Sequence, residues 1–236
     1  CKQVGLKNKG VNSSKKSIIE PKLFSSILGR HLLNMKPNSK EPIKYYDDHA
    51  EEFFQNTYML DMHDLYEPFL KLLPKNARIL DVGCGSGRDS QNFLKLGYDV
   101  VPFDGSSEMV TLSSDLLGIE VLHLLYEDIY FNNEFDGIWA CASFVHIPGD
   151  ELQKMLLKME RALVEGGILF ISLKNGTGTQ TIGDRIFYYH SEDSFSQISN
   201  TVPRLRIFDL RHTFDIRCGK KNEKWLNVLL KKESRG

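Results

Sequence analysis

The stretch "ILDVGCGSGRDS" (Ile79–Ser90) decides the fold, because a short apolar run passes directly into a glycine-rich turn and then into a polar segment. The run predicts a buried strand, and the residues from Gly87 to Gly97 predict a helix. Gly83, Gly85 and Gly87 lie between these two elements. Glycine adopts positive φ at little cost and lets a ligand approach the backbone closely. In an open α/β sheet, ligands bind beyond the carboxyl ends of the strands, so this turn is the predicted binding site.

Apolar runs and helical stretches alternate on both sides of the turn. Such alternation is typical of a parallel sheet covered on both faces. The tail departs from it, because residues 204–216 and 224–232 predict two strands joined by a short turn, which indicates an antiparallel hairpin. We therefore expect an α/β fold with a Rossmann-like, doubly wound, seven-stranded sheet that ends in this hairpin. The other predicted strands are 77–83, 98–104, 119–126, 135–143 and 168–174, and the predicted helices are 45–60, 61–74 (disturbed by Pro68), 87–97, 106–118 and 148–167.

The composition indicates one globular domain preceded by a basic segment. The chain has 236 residues, of which 41% are hydrophobic. Residues 1–40 carry eight Lys and one Arg against Glu20, a net charge of +8, and since the total is −1, residues 41–236 carry −9. An acidic body disfavours a duplex nucleic-acid substrate. We predict that residues 1–40 are a basic flexible extension or linker, through which alone nucleic acid would be contacted, and that residues 41–236 are the functional domain.

The cysteines give no sign of a metal site. They lie at positions 1, 84, 141 and 218, without a CxxC pair or a metal-ligand spacing. Cys84 and Cys141 fall in apolar segments and are expected to be buried free thiols. Free thiols are typical of a reducing compartment, so a cytoplasmic protein is expected. The sequence also has no apolar run of the roughly 20 residues that a membrane helix needs.

The spacing around the turn narrows the class of ligand. A dinucleotide-binding turn has the pattern G-x-G-x-x-G, but Arg88 occupies the position of its third glycine, which argues against a nicotinamide-dependent oxidoreductase. Asp104 ends the second strand and lies 19 residues after Gly85. That offset agrees with the roughly 20 residues expected for an acid that binds ribose hydroxyls. The alternative is that Asp104 caps the following helix.

An ordered set of segments resembles the class I S-adenosylmethionine (SAM)-dependent methyltransferases, over residues 45 to 232. The small-molecule branch related to the tellurite-resistance methyltransferases looks most similar. One departure is "VEGG" at 164–167, where the family more often has Pro-Gly-Gly, which affects only a turn. The segments are "ILDVGCGSGRDS", "YDVVPFDGSSEMV", "YEDI", "EFDGIWACASFVHIP" and "RALVEGGILFISLKNG", and those shared with the branch are "YYDDHAEEFF", "GCGSGRDS", "FVHIP", "SLKNG" and "WLNVLLKK".

The resemblance implies that the cofactor is SAM and that it lies on the glycine turn. Asp81 is placed to accept hydrogen bonds from the methionyl ammonium, or to satisfy loop amides. Asp128 is expected at the adenine amino group, with Glu127 as the alternative, and Met109 either covers the adenine or belongs to the core. The full predicted cofactor set is Tyr45, Asp81, Gly83, Cys84, Gly85, Gly87, Asp104, Gly105, Ser106, Met109, Glu127, Asp128, Ile129 and Cys141.

Two residues are the candidates for a catalytic role, His146 and Tyr46. SAM carries its own electrophile, so no covalent enzyme intermediate is needed. With its ordinary pKa of about 6.5, His146 would take a proton from the acceptor, or it only bonds a loop. The resemblance suggests that Tyr45 and Tyr46 close over the sulfonium, and the alternative is packing at the start of a helix.

The polar segment 174–193 contains three glycines and is expected to be a lid or acceptor loop. Lys174, Arg185, Tyr188 and Tyr189 are its candidate acceptor contacts. Arg88 would either neutralise an anionic acceptor or pair with Asp89. We therefore expect a methyltransferase that acts on a small molecule. Two alternatives stay open: a macromolecular acceptor (RNA or protein) and a non-catalytic SAM-binding module.

Overall fold

A computed structural model describes residues 37–234 of the chain, and the account below concerns those residues. Seven helices, nine strands and two short 3₁₀ turns follow one another in this part. They are α1 (Pro37–Asp48), α2 (Ala50–Thr57), α3 (His63–Leu70), β1 (Arg78–Val82), α4 (Arg88–Lys95), β2 (Asp99–Asp104), α5 (Ser107–Leu117), β3 (Leu122–His123), a 3₁₀ turn (Tyr126–Asp128), β4 (Phe135–Cys141), a 3₁₀ turn (Phe144–His146), α6 (Gly149–Ala162), β5 (Leu163–Asn175), β6 (Thr179–Ile182), β7 (Arg185–His190), α7 (Glu192–Ser199), β8 (Leu205–Phe214) and β9 (Lys224–Lys232).

The sheet has the predicted arrangement around β1. Strands β3, β2, β1, β4 and β5 lie side by side in that order and are parallel. On the far side of β5, β9 pairs antiparallel along Ile168–Lys174, and β8 pairs antiparallel with β9 at the edge. The expected fold class, an α/β sheet of parallel strands with a terminal antiparallel hairpin, is confirmed. The carboxyl ends of the parallel strands meet at one edge of the sheet, where the glycine turn follows β1.

Two apolar clusters cover the two faces of the sheet. Successive residues of a strand point to opposite faces, and Ile79 and Leu80 accordingly belong to different clusters. In the first, the ring centroids of Trp139 and Phe170 are stacked 3.9 Å apart, and α3 and α4 contribute further rings. The second cluster is built largely from β4, α6, β5 and β9. Because β1 is covered on both sides, its carboxyl end is held rigidly.

The segment 174–193 differs from the prediction of a lid loop. It forms a hairpin in which β6 pairs antiparallel with β7, and Ile182 lies opposite Arg185 across a two-residue turn. Gly183 opens that turn with φ 58°, as tight hairpins require. The end of β5 pairs in parallel with β7, so the hairpin extends the sheet at its carboxyl edge. The alternation of Thr and Gln along β6 is polar on both faces, and the hydrophobic pattern therefore did not mark it as a strand.

Several predicted boundaries were wrong. The helix expected over 45–60 is two helices, α1 and α2, separated at His49. The strand expected over 119–126 is reduced to β3, because the chain enters a 3₁₀ turn three residues after it. The helix expected to reach Gly167 ends at Ala162, because Leu163 pairs with Phe135 and starts β5.

The predicted extension, residues 1–40, falls mainly outside the described part of the chain. Residues 37–40 belong to α1, so the described domain begins four residues before the predicted boundary. The flexible or linking role of residues 1–36 stays a prediction. Within residues 37–234, no helix is both long enough and apolar enough to span a membrane.

Gly137 in β4 provides a test of the packing between the sheet and α3. A Cβ atom at this position would lie 2.8 Å from Cζ of the buried Phe69 and 2.9 Å from a methyl of Leu73. We expect Gly137→Ala to lower the free energy of unfolding by about 1–3 kcal/mol, because the core has no room for the methyl group. Urea unfolding followed by circular dichroism measures this change.

Gly149→Ala is the matched control. Its Cβ would make an ordinary contact, 3.6 Å from a methyl of Ile198, at the first residue of α6. Since alanine favours a helix, stability should stay the same or rise by up to about 1 kcal/mol. Equal losses in the two variants would contradict the packing argument.

Candidate functional site

The glycine turn after β1 needs its glycines for two separate reasons. Gly83, Gly85 and Gly87 have φ of 64°, 53° and 76°, in the left-handed region that side chains rarely adopt. A Cβ on Gly83 would also come within 2.9 Å of Cβ of Ser143, and one on Gly85 within 3.3 Å of the Phe53 ring. The turn therefore presents bare backbone between the end of β1 and the elements that cover it.

Asp104 holds this turn from the neighbouring strand. Its Oδ2 accepts a hydrogen bond of 2.9 Å from the Gly85 N–H, and its Oδ1 accepts one of 2.9 Å from the Ser106 N–H. Burial raises the pKa of the Asp104 carboxyl, although these backbone donors favour the charged form. A carboxylate has about four acceptor sites, so capacity is left for a further donor such as a ribose hydroxyl.

Ser106, rather than Asp104, caps the helix α5. Its hydroxyl oxygen accepts from the Met109 N–H at 3.1 Å and donates to Oδ1 of Asp47 at 2.6 Å. The second bond attaches α1 to the carboxyl edge of the sheet. Gly105 also lies against α1, since a Cβ atom on Gly105 would be 3.4 Å from a methyl group of Ile43. Met109 is 1% exposed, as a core methionine would be.

Asp81 at the end of β1 is buried and accepts from the Ser90 hydroxyl at 2.6 Å. Burial, followed by the nearby charge of Asp89, raises the pKa of Asp81. Asp89 itself is enclosed by donors: Arg88 reaches it with two nitrogens, at 2.6 and 2.9 Å, and Tyr66 and Trp139 add one hydrogen bond each. Arg88 therefore forms an ion pair with Asp89, as in the second of the two roles considered for this arginine, rather than facing an anionic acceptor.

The residues expected at the adenine lie on the 3₁₀ turn Tyr126–Asp128. Glu127 is exposed, Asp128 is half-buried and Ile129 is 8% exposed. Lys158 fastens the turn to α6 by donating to the carbonyl of Tyr126 at 3.0 Å. Asp128 is the better enclosed of the two acids, and its role at the adenine stays a prediction.

Tyr46 and His146, the two predicted catalytic residues, are in contact. The Tyr46 hydroxyl and Nε2 of His146 are 3.2 Å apart, and Nδ1 of His146 lies 2.7 Å from the carbonyl oxygen of Ile186. A carbonyl only accepts, so we assign the proton of the neutral imidazole to Nδ1, which leaves Nε2 as an acceptor. Burial lowers the pKa of His146 to about 4, and burial raises the pKa of Tyr46. Both groups are therefore neutral near pH 7.

Of the other candidate acceptor contacts, Arg185 lies beside the Tyr46–His146 pair, whereas Lys174 and Tyr189 bind partners within the fold. Arg185 lies close to the pair, with its Cζ 3.7 Å from the ring centroid of Tyr45. Lys174 is buried, forms an ion pair with Glu223 and lies 4.3 Å from the ring centroid of Trp225, so its charge is used within the fold. The hydroxyl of Tyr189 donates to the side-chain carbonyl of Gln180, and Tyr188 is half-buried.

The two predicted buried thiols differ in exposure. Cys84 is 9% exposed and its N–H donates to the carbonyl of Phe103, so its backbone helps to fix the glycine turn. Cys141 is half-buried at the end of β4, with Sγ 3.9 Å from Nη2 of Arg88. Burial raises the pKa of the Cys141 thiol to about 12, so no thiolate is present near pH 7.

Three residues of the site carried no signal that the sequence analysis used. Asp47 binds Ser106, Phe53 lies over Gly85, and the hydroxyl of Ser143 is buried beside Gly83 without a hydrogen-bond partner among the described residues. The residue before Ser143, Ala142, has φ 56°, which turns the chain sharply at the end of β4. These residues lie in segments that carry the family resemblance, but their individual contacts depend on tertiary structure.

Known proteins match both the sequence and the fold. A family model described as a methyltransferase domain matches residues 79–167. A protein of Staphylococcus carnosus named "uncharacterized methyltransferase" is 24% identical over 144 residues, which cover 60% of this chain and 70% of that protein. The tRNA U34 carboxymethyltransferase of Pseudomonas syringae pv. tomato is 28% identical over 210 residues, which cover 82% of this chain but only 61% of that enzyme.

A solved structure covers nearly the whole chain. It is the Burkholderia thailandensis 1,6-didemethyltoxoflavin-N1-methyltransferase with bound 1,6-didemethyltoxoflavin and S-adenosylhomocysteine, with a TM-score of 0.66, 17% identity and 94% of each chain covered. Together, these matches show a methyltransferase domain over residues 79–167 and a fold shared with class I methyltransferases. The tellurite-resistance-like branch stays a prediction.

Asp104→Asn tests the role of this carboxylate at the turn. The amide would place an N–H₂ group against one of the two backbone donors and would remove the negative charge. We expect SAM to bind about 10–100-fold more weakly, the range for losing hydrogen bonds to a charged group. Isothermal titration calorimetry measures the dissociation constant directly.

Asp99→Asn at the exposed start of β2 is the control for charge removal. It should leave the SAM affinity within about twofold, since surface ion pairs contribute little. Unchanged SAM binding in Asp104→Asn would remove this carboxylate from the cofactor site.

The buried imidazole of His146 predicts a pH dependence of stability. Its folded pKa is near 4 and its unfolded pKa near 6.5, so between these values the unfolded chain binds the additional proton. Stability is therefore lost as the pH falls from 6.5 to 4, by about 2–3 kcal/mol from this group. His146→Gln should show a shallower loss over that range in urea unfolding at several pH values.

His63→Gln provides the comparison, because His63 is exposed at the start of α3. It should reproduce the pH profile of the unmodified protein. A His146→Gln profile that is parallel to the unmodified one would show that His146 titrates normally in the folded state.

Proposed function

Because the chain contains a methyltransferase domain within a class I SAM-dependent methyltransferase fold, we propose that it transfers the sulfonium methyl group of SAM in line to a small-molecule acceptor. The acceptor would lie between the glycine turn and the Tyr46–His146 pair. The observation that carries the proposal is the convergence of three parts at one sheet edge: the bare turn at Gly83 and Gly85, the carboxylate of Asp104, and the neutral pair.

The site fits a sulfonium nucleoside in its donor and acceptor chemistry. In this proposal, Asp104 accepts from the ribose hydroxyls and Asp81 accepts from the methionyl ammonium. The buried Ser143 hydroxyl beside Gly83 has no partner among residues 37–234 and would gain one from a bound ligand. We propose that the predicted cofactor set holds SAM, with Asp128 at the adenine. When bound, SAM supplies the electrophilic methyl group.

The residues of the chain then position the acceptor and receive its proton. The nucleophilic atom must be held in line with the sulfonium and shielded from water. Nε2 of His146 is unprotonated near pH 7, because its pKa is about 4, and it is available to accept a proton either from the acceptor or from the Tyr46 hydroxyl. A base with so low a pKa is weak. We therefore assign His146 mainly to orienting the acceptor and Tyr46, with proton release following methyl transfer.

The acidic charge supports a small acceptor. Residues 41–236 carry a net −9, which repels a polyanionic substrate. A macromolecular acceptor is the second candidate, favoured by the +8 charge of residues 1–40 and by the likeness over 82% of the chain to a tRNA-modifying enzyme. Labelled methyl groups in the small-molecule fraction of a cell extract would support the first candidate, and label in its tRNA or protein would support the second.

Tyr46→Phe is the variant that tests the site in this assay. It removes only the hydroxyl that contacts His146, so the rate of methyl transfer should fall by about 10–100-fold. The affinity for S-adenosylhomocysteine should stay within about twofold. Labelled-methyl transfer and calorimetry measure the two quantities separately.

Tyr58→Phe, at a tyrosine stacked on Phe54 at the end of α2, is the control and should keep full activity. Binding of S-adenosylhomocysteine without label in any fraction of the extract would instead indicate the non-catalytic SAM-binding module. Unimpaired transfer by Tyr46→Phe would exclude this hydroxyl from the reaction.

A further inference from the structure

Arg185 places a positive charge beside the proposed acceptor site. It is the first residue of β7, on the hairpin that the seven-stranded arrangement does not require. Its Cζ lies 3.7 Å from the ring centroid of Tyr45, 5.2 Å from that of Phe187 and 5.6 Å from that of Tyr46. Three aromatic rings thus surround one side of the guanidinium, which is half-buried.

The guanidinium of Arg185 has no carboxylate partner among residues 37–234. Its Nε is buried without an acceptor, and Nη1 reaches only the Tyr46 hydroxyl, at 3.5 Å. Other enclosed arginines are paired: Arg88 with Asp89, Arg217 with Asp215 and Arg204 with Glu165. Buried donors are nearly always satisfied, and an unmet charged donor is costly. Arg185 therefore has unused capacity for an anion.

Resting on the proposed methyl transfer, we propose that Arg185 determines the acceptor class by binding a carboxylate group of the acceptor. The planar guanidinium matches a carboxylate with two parallel hydrogen bonds, a geometry that lysine does not offer. The rings of Tyr45, Tyr46 and Phe187 provide apolar surface for the body of such a molecule. The inferred acceptor is an apolar or aromatic carboxylate.

The backbone fixes this carboxylate site relative to the catalytic pair. Ile186, the next residue after Arg185, receives the Nδ1–H of His146 on its carbonyl oxygen, at 2.7 Å. Tyr46 also contacts Phe53, with ring centroids 5.1 Å apart, and Phe53 lies over Gly85 of the glycine turn. A carboxylate on Arg185 would therefore orient the rest of the acceptor along a continuous row of contacts that leads to the cofactor turn.

The methionyl carboxylate of SAM has the same chemistry and is the competing source. The contacts favour the acceptor, because the hydrogen bond of Arg185 is with Tyr46 and one of its ring contacts is with Phe187 on the added hairpin. None of these residues belongs to the turn between β1 and α4. The two sources are distinguished by measuring the cofactor product and a carboxylate probe in the same variants.

The test uses the full chain saturated with S-adenosylhomocysteine and titrated with benzoate by calorimetry. Benzoate should bind, and benzamide, its neutral counterpart, should bind at least tenfold more weakly. Arg185→Gln should weaken benzoate binding at least tenfold. The benzoate affinity of Arg185→Lys should lie between those of the unmodified chain and Arg185→Gln. The affinity for S-adenosylhomocysteine should stay within twofold in both variants, and thermal melts should confirm that both are folded. Arg161→Gln, at an exposed arginine of α6, is the matched control and should behave as the unmodified chain.

Four results would overturn the inference. They are no benzoate binding by the unmodified chain, equal binding by Arg185→Gln, tenfold tighter binding of phenyl phosphate than of benzoate, and a loss of S-adenosylhomocysteine affinity as large as the loss of benzoate affinity. The last would assign Arg185 to the cofactor carboxylate. Failure of the proposed function looks different: benzoate binding would still depend on Arg185, while no labelled methyl group would reach any acceptor.

Discussion

The Asp104 carboxylate is the interaction on which the site depends. One oxygen accepts from the N–H of Gly85 and the other from the N–H of Ser106, so a single side chain joins the turn after β1 to the start of α5. Taking a carboxylate out of water is costly, and the two backbone donors compensate part of that cost. This contact restricts the conformation of the turn, because glycine residues by themselves allow the backbone many φ/ψ values.

The acceptor side is assembled from elements outside the parallel strands. The Ser106–Asp47 bond attaches α1, and the contacts of Tyr46 and Ile186 with His146 attach both α1 and the added hairpin to the end of β4. The two halves of the site therefore differ in construction. The proposed cofactor half is built into the sheet edge, whereas the proposed acceptor half consists of neighbouring segments held by a few polar contacts and ring contacts.

The sequence predicted the parts of this arrangement that depend on local pattern. Short apolar strands, the glycine spacing and the acid at position 104 are readable within short windows. His146 and Tyr46 were both chosen, but their contact spans 100 residues, and the low pKa of His146 follows from burial that no window reveals. The hairpin was missed because β6 is polar on both faces. Asp47 was missed because its partner is known only once α1 is placed.

The backbone carbonyl of Ile186 fixes the tautomer of His146 by accepting a hydrogen bond from Nδ1–H. Every amino acid has such a carbonyl. The side chain at this position can therefore change without altering which ring nitrogen holds the hydrogen, provided the strand keeps its path. The neighbouring residues of β7 can diversify in the same way. The backbone contact that sets the tautomer of His146 is thus independent of the side chains that the hairpin presents.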